Sequence, residues 1–115
     1  MRKKQNKKRF AKNEFRYNYY TKHENFIFEE DGDNFHSLGL THNKQTKDKN
    51  KKWHKNMPLN KNPQKNKTET SYLRYGVITQ NKKTFSNKPD KRFVFDDSDK
   101  ASVKSKIRNY KKKRK

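Results

Sequence analysis

Apolar positions are sparse along the 115 residues, and they gather in short runs bounded by turn residues. The clearest run is Phe26-Ile27-Phe28, followed by Glu29-Glu30-Asp31-Gly32-Asp33-Asn34 and then Phe35-His36-Ser37-Leu38-Gly39-Leu40. Two such segments around an Asp-Gly turn predict a β-hairpin near residues 24–41. With Gly32 left-handed in a three-residue turn, Phe26 and Phe28 share a face with His36, Leu38 and Leu40, while Ile27 and Phe35 point the other way. A two-residue Asp31-Gly32 loop would instead set Phe28 against Phe35 and move His36 to the other side. The first register gathers more apolar area and is the one expected.

A second β segment is expected near 70–80, where Tyr72, Leu73, Tyr75, Val77 and Ile78 supply aromatic and β-branched side chains. A third, near 91–95, is Arg92-Phe93-Val94-Phe95, after the turn residues Asn87-Lys88-Pro89-Asp90. Asp96-Asp97-Ser98-Asp99 then offers an N-cap and negative charge at a helix start. Val103, Ile107 and Tyr110 follow at helical spacing, so a helix is predicted over about 97–110 with one narrow apolar stripe. The expected fold class is α+β, a small β-sheet with one C-terminal helix. Residues 43–69 are rich in Lys and Asn, are broken by Pro58 and Pro63, and read as a long loop in which Trp53, His54, Met57 and Leu59 dock. The organisation expected is a basic, largely flexible arm over 1–20, a single small domain over 21–110, and a basic tail over 111–115.

Charge changes this picture most. Thirty-three Lys and Arg against twelve Asp and Glu give a net charge of +21, and only 25% of the residues are hydrophobic. Taken over the whole chain, that balance is the signature of disorder. The 13% aromatic content argues for an ordered centre. The charge is also uneven. Residues 1–22, 43–69 and 96–115 each hold nine basic residues, whereas 23–42 hold none and carry Glu24, Glu29, Glu30, Asp31 and Asp33. An excess this large calls for an anionic partner.

Absence of cysteine excludes disulfides and thiolate metal sites. No apolar stretch approaches the ~18 residues a spanning helix needs, and the charged N-terminus lacks the apolar core of a signal peptide. The expectations are a cytoplasmic protein, no membrane partner and no cofactor. His23, His36, His42 and His54 form no His-x-x-x-His pair, and Asp31 and Asp33 lack the other ligands of a calcium loop, so no metal is expected.

Aromatics interleaved with cations carry the functional expectation. Phe10, Phe15, Tyr17, Tyr19 and Tyr20 lie among Lys7, Lys8, Arg9, Lys12 and Arg16, and Trp53 lies among Lys51, Lys52 and Lys55. Cations contact phosphates and flat rings stack on unpaired bases, which suits RNA more than DNA. The plain alternative is that the rings form the core and the lysines are merely solvated. The nucleic-acid contacts expected are Lys7, Lys8, Arg9, Arg16, Lys51, Lys52, Lys55, Arg74, Lys111, Lys112, Lys113 and Arg114, with Trp53 and Tyr72 stacking. A ribosome-associated or RNA-chaperone role suits the basic ends.

The reading favours a binding protein over an enzyme, with two alternatives. One is a metal-independent ribonuclease in which His23, His36, His42 or His54 supplies acid and base and Arg74 the cation at the phosphate. In general form, a short basic chain with a sheet, a helix and scattered His, Arg and Tyr, the sequence resembles the small ribonuclease toxins of bacterial toxin-antitoxin systems, an architectural likeness that covers no motif. The other is a mobile-element accessory protein whose basic surface meets DNA or an acidic protein.

Overall fold

The computed structural model describes residues 9–114. The chain runs through β1 (Arg9–Asn18), β2 (His23–Asp31), β3 (Asn34–Thr41), β4 (Gln45–Lys47), β5 (Trp53–Lys55), β6 (Met57–Pro58), β7 (Tyr72–Leu73), β8 (Ile78–Asn81), a 3-10 turn (Lys82–Thr84) and α1 (Asp97–Lys113). The class is α+β, with antiparallel strand pairing and one C-terminal helix. No helix among the described residues is long and apolar enough to cross a membrane. The chain divides into two compact units, residues 1–39 with 76–90 and residues 40–75 with 91–115.

In the first unit β2 pairs on one side with β1 and on the other with β3, and β3 pairs with β8. Arg9–Asn18 therefore form a strand where a flexible arm is expected. Phe15 decides this: it lies opposite Phe26 in the ladder, their ring centroids 5.3 Å apart, and is buried. The expected β2–β3 hairpin is present, but its loop is Gly32-Asp33, closed by the Asp31–Asn34 pair. Gly32 takes φ 59°, the left-handed conformation that glycine adopts without a Cβ clash. A two-residue loop with a regular ladder would set Phe26 opposite Gly39. A β-bulge between Ile27 and Glu29 inserts one extra residue and restores Phe26 opposite Leu38. The face assignment expected from the longer turn is thus reached by another route. Phe28 stacks on His36 at 6.3 Å, while Ile27, Phe35 and Phe85 form a separate buried cluster.

In the second unit the end of β3 pairs with β7 through Leu40–Leu73 and Thr41–Tyr72, and β7 pairs with β6. The single strand expected near 70–80 is split in two. Its middle is withdrawn from the ladder because the Tyr75 backbone is used by side chains: its N–H donates to Asn56 Oδ1 at 3.0 Å, and Lys106 Nζ donates to its carbonyl at 2.9 Å. The segment 91–95 makes only an isolated bridge, Gln64–Phe93. Its partner begins at Pro63, which has no N–H to extend a ladder. The loop expected over 43–69 contains β4, β5 and β6.

Helix α1 begins as expected. Asp96 is the N-cap, accepting from the Ser98 N–H at 3.1 Å and from the Ser98 hydroxyl. Val103 is buried and Ile107 and Tyr110 are half-buried on one stripe. The helix runs to Lys113, a turn beyond the expected end. Cations in the last turn complement the helix dipole, and the Arg114 guanidinium lies 5.6 Å from the Tyr110 ring centre.

Candidate nucleic-acid interface

The β4–β5 ladder pairs Gln45 with Lys55, Thr46 with His54 and Lys47 with Trp53. Because side chains alternate across a strand, one face carries Gln45, Lys47, Trp53 and Lys55 and the other Thr46 and His54. The first face is open to solvent: Trp53 is 61% exposed, and the Lys47 ammonium sits 4.9 Å from its ring centre, within cation–π range. The second face is covered, with His54 stacked on Tyr75 at 4.1 Å and 9° between planes.

Asp48 holds the connecting turn. Its side chain accepts from the N–H groups of Asn50 at 2.8 Å and Lys52 at 3.0 Å and bonds His54 Nε2 at 2.7 Å. These contacts, led by the His54 bond, keep its carboxyl below the ordinary value. Lys51 closes the turn with φ 65°. Beneath the hairpin, the buried Asn56 donates to the Asn43 carbonyl at 3.0 Å and to Thr46 Oγ1 at 2.8 Å while accepting from Tyr75. The turn thus presents exposed Lys49, Lys51 and Lys52 beside an exposed indole on a framework fixed by hydrogen bonds. The ammonium groups of Lys51, Lys52 and Lys55 make no ion pair or hydrogen bond among the described residues.

Other expected contacts are distributed unevenly. Lys7 and Lys8 lie outside the described residues. Arg9 is paired with Asp31 at 3.4 Å. Arg16 is committed within the first unit: Nε donates to Glu14 at 2.5 Å, an Nη donates to the Ser86 carbonyl at 2.9 Å, and the guanidinium lies 5.5 Å from the Phe35 ring centre. Tyr72 and Arg74 are half-buried in and after β7. Lys111–Lys113 form the last turn of α1 and Arg114 its C-cap.

His23 and His36 belong to the first unit, and His42 and His54 to the second. His36 is buried with both ring nitrogens engaged, Nδ1 at 2.7 Å from Thr79 Oγ1 and Nε2 at 2.9 Å from Asp31 Oδ2. His54 links the turn to Tyr75, and His42 is exposed. No group of three or more His, Cys, Asp or Glu is placed to hold a metal ion among the described residues.

Sequence reasoning missed Lys47, Asp48, Asn56 and Tyr75. A faint signal exists in Gln45-Thr46-Lys47 and Trp53-His54-Lys55 flanking a turn that starts with Asp. Three-residue strands are too short for alternation to show. Half-buried Lys106, whose pKa burial pushes below the ordinary lysine value, with the nearby Lys113 charge adding to this, is also invisible in the pattern. The chain matches no protein-family model, no curated protein and no solved structure.

Proposed function

We propose that the protein binds single-stranded nucleic acid, RNA foremost, with the second unit as the binding element and the β4–β5 hairpin at its centre. The observation that carries this reading is the exposed Trp53 ring on a rigid hairpin face that also bears Lys47 and Lys55, next to the lysine-rich turn. An indole held this way costs little to order, stacks on any unpaired base, and has cations within reach of the flanking phosphates. The exposed row Lys104, Arg108 and Lys112 on α1, one turn apart at ~6 Å of rise, supplies further phosphate contacts. The acid-base alternative has no comparable support, since His36 and His54 are engaged as structural links.

Trp53 is the sole tryptophan, so its emission reports on the site directly. Single-stranded RNA and DNA should quench it and duplex DNA should not. Trp53→Ala should cost ~1–3 kcal/mol of single-strand affinity, the usual value of one base–aromatic stack, and leave the thermal transition unchanged. Emission that does not respond to saturating RNA at low salt would overturn the reading.

A further inference from the structure

Residues 59–62 and 64–70 line a half-open cavity of about 430 Å³, a volume within the ~300–1,000 Å³ range of small-molecule sites. Its frame is fixed at several points. Leu59 N–H donates to the Ser71 carbonyl at 3.0 Å, and the N–H groups of Asn60 and Lys61 donate at 2.9 and 3.2 Å to the buried carboxylate of Asp99 on α1. Lys65 N–H donates to the Arg92 carbonyl at 3.0 Å, and Val94 N–H donates to the Pro63 carbonyl at 2.9 Å. Asn62 Nδ2 closes the ring on the Glu69 carbonyl at 2.9 Å, and Asn66 reverses the chain with φ 67°. A loop tied at this many points is formed before any ligand arrives.

The polar half of the cavity wall is cationic. Lys61, Lys65 and Lys67 line it with Gln64, Thr68 and Thr70. Lys61 has only a long pairing to Asp96 at 3.7 Å, and the ammonium groups of Lys65 and Lys67 make no hydrogen bond or ion pair among the described residues. The Gln64 amide and the hydroxyls of Thr68 and Thr70 are likewise unengaged among the described residues. Glu69, the one carboxylate on the wall, is engaged first by its own backbone N–H, and that contact leads, with the Lys67 charge contributing, in holding its pKa below the ordinary value. Three ammonium groups against one carboxylate exclude a metal cation as the occupant, and a wall with polar and apolar surface in about equal parts suits a ligand that carries both an anionic group and an apolar face.

We propose that this loop is a binding site for a phosphorylated nucleotide, with Lys61, Lys65 and Lys67 on the phosphate and the Gln64 amide and Thr hydroxyls, which both donate and accept, on the base and ribose. The same chemistry is offered by a free nucleoside monophosphate and by the 5′-phosphorylated end of a strand. The site is independent of Trp53 and stands or falls without the stacking reading.

Calorimetric titration at fixed salt tests it with five ligands: inorganic phosphate, uridine and adenosine monophosphates, and one pentanucleotide in a 5′-phosphate and a 5′-hydroxyl form. The monophosphates should bind at least tenfold more tightly than inorganic phosphate, or the 5′-phosphate should strengthen pentanucleotide binding at least tenfold. The first result names the free nucleotide as the ligand and the second the strand end. Lys65→Ala with Lys67→Ala should abolish the gain, whereas Lys83→Ala with Lys88→Ala, in the first unit, should keep it. Gln64→Ala retains every charge and should erase the preference for nucleotide over inorganic phosphate. Neither gain in the wild-type protein, or a gain that survives the Lys65 and Lys67 substitutions in a folded variant, overturns the proposal.

Discussion

Residues 1–39 and 76–90 hold twelve Lys and Arg against seven Asp and Glu, whereas residues 40–75 and 91–115 hold twenty-one against five. The use made of the carboxylates differs as much as their number. In the first unit they neutralise cations: Glu14 takes Arg16, Asp31 takes Arg9, and Glu30 takes Lys12 and Lys82. Lys82 is the leading cause of the low Glu30 pKa. In the second unit Asp97 pairs with Lys100 at 3.0 Å, but three of the five carboxylates hold backbone. Asp48 fixes a turn, Asp96 caps α1 and Asp99 receives the N–H groups of Asn60 and Lys61. Lys51, Lys52, Lys55, Lys65 and Lys67 there make no ion pair among the described residues. The self-repulsion left by unpaired charge is therefore smaller in the first unit than in the second.

The comparison breaks most sharply at Phe85, which is 2% exposed in the cluster with Ile27 and Phe35. Phe85→Ala should cost ~3–5 kcal/mol in urea denaturation, the usual loss for a buried phenylalanine. A loss below ~1 kcal/mol, within the range of surface substitutions, would mean that this cluster does not hold the first unit. Charge reversal sharpens the contrast next. Lys51→Glu with Lys52→Glu should weaken RNA binding about tenfold or more and flatten the log–log salt dependence by ~1.4, about 0.7 for each single-strand phosphate that is no longer neutralised. Lys83→Glu with Lys88→Glu should change both far less. Equal effects from the two pairs would make binding a property of net charge and not of one unit.

The smallest effect concerns Asp48. Its pKa is lowered from 3.8, so its stabilising contribution is complete above that value and is lost as pH falls through the lower folded-state value. Trp53 emission should stay constant down to about pH 4 and shift below it. In Asp48→Asn the acid-dependent shift should be absent. A shift that persists in that variant would assign it to another group.

Much of the scaffold was legible in the sequence because it rests on local signals. Gly32 marks the β2–β3 turn, Asp96 the helix start, and Val103, Ile107 and Tyr110 the helix stripe. The strand at Arg9–Asn18 was hidden because its basic composition reads as an arm. Only the opposition of Phe15 and Phe26, and cation pairing with acids far along the chain, turns it into β1. The candidate site was half visible. Trp53, Lys51, Lys52 and Lys55 stand out as an aromatic among cations, but Lys47 becomes its neighbour only through the ladder.

The sequence by itself determined the excess of positive charge, its absence from residues 23–42, the α+β class and the absence of thiol chemistry. Tertiary structure alone decided which cations are spent. Arg16 is consumed by Glu14, Ser86 and Phe35, while Lys51 and Lys52 remain open beside Trp53. The physical reason is that a charge is neutralised by what lies within a few ångströms of it, and for these residues the fold places those neighbours.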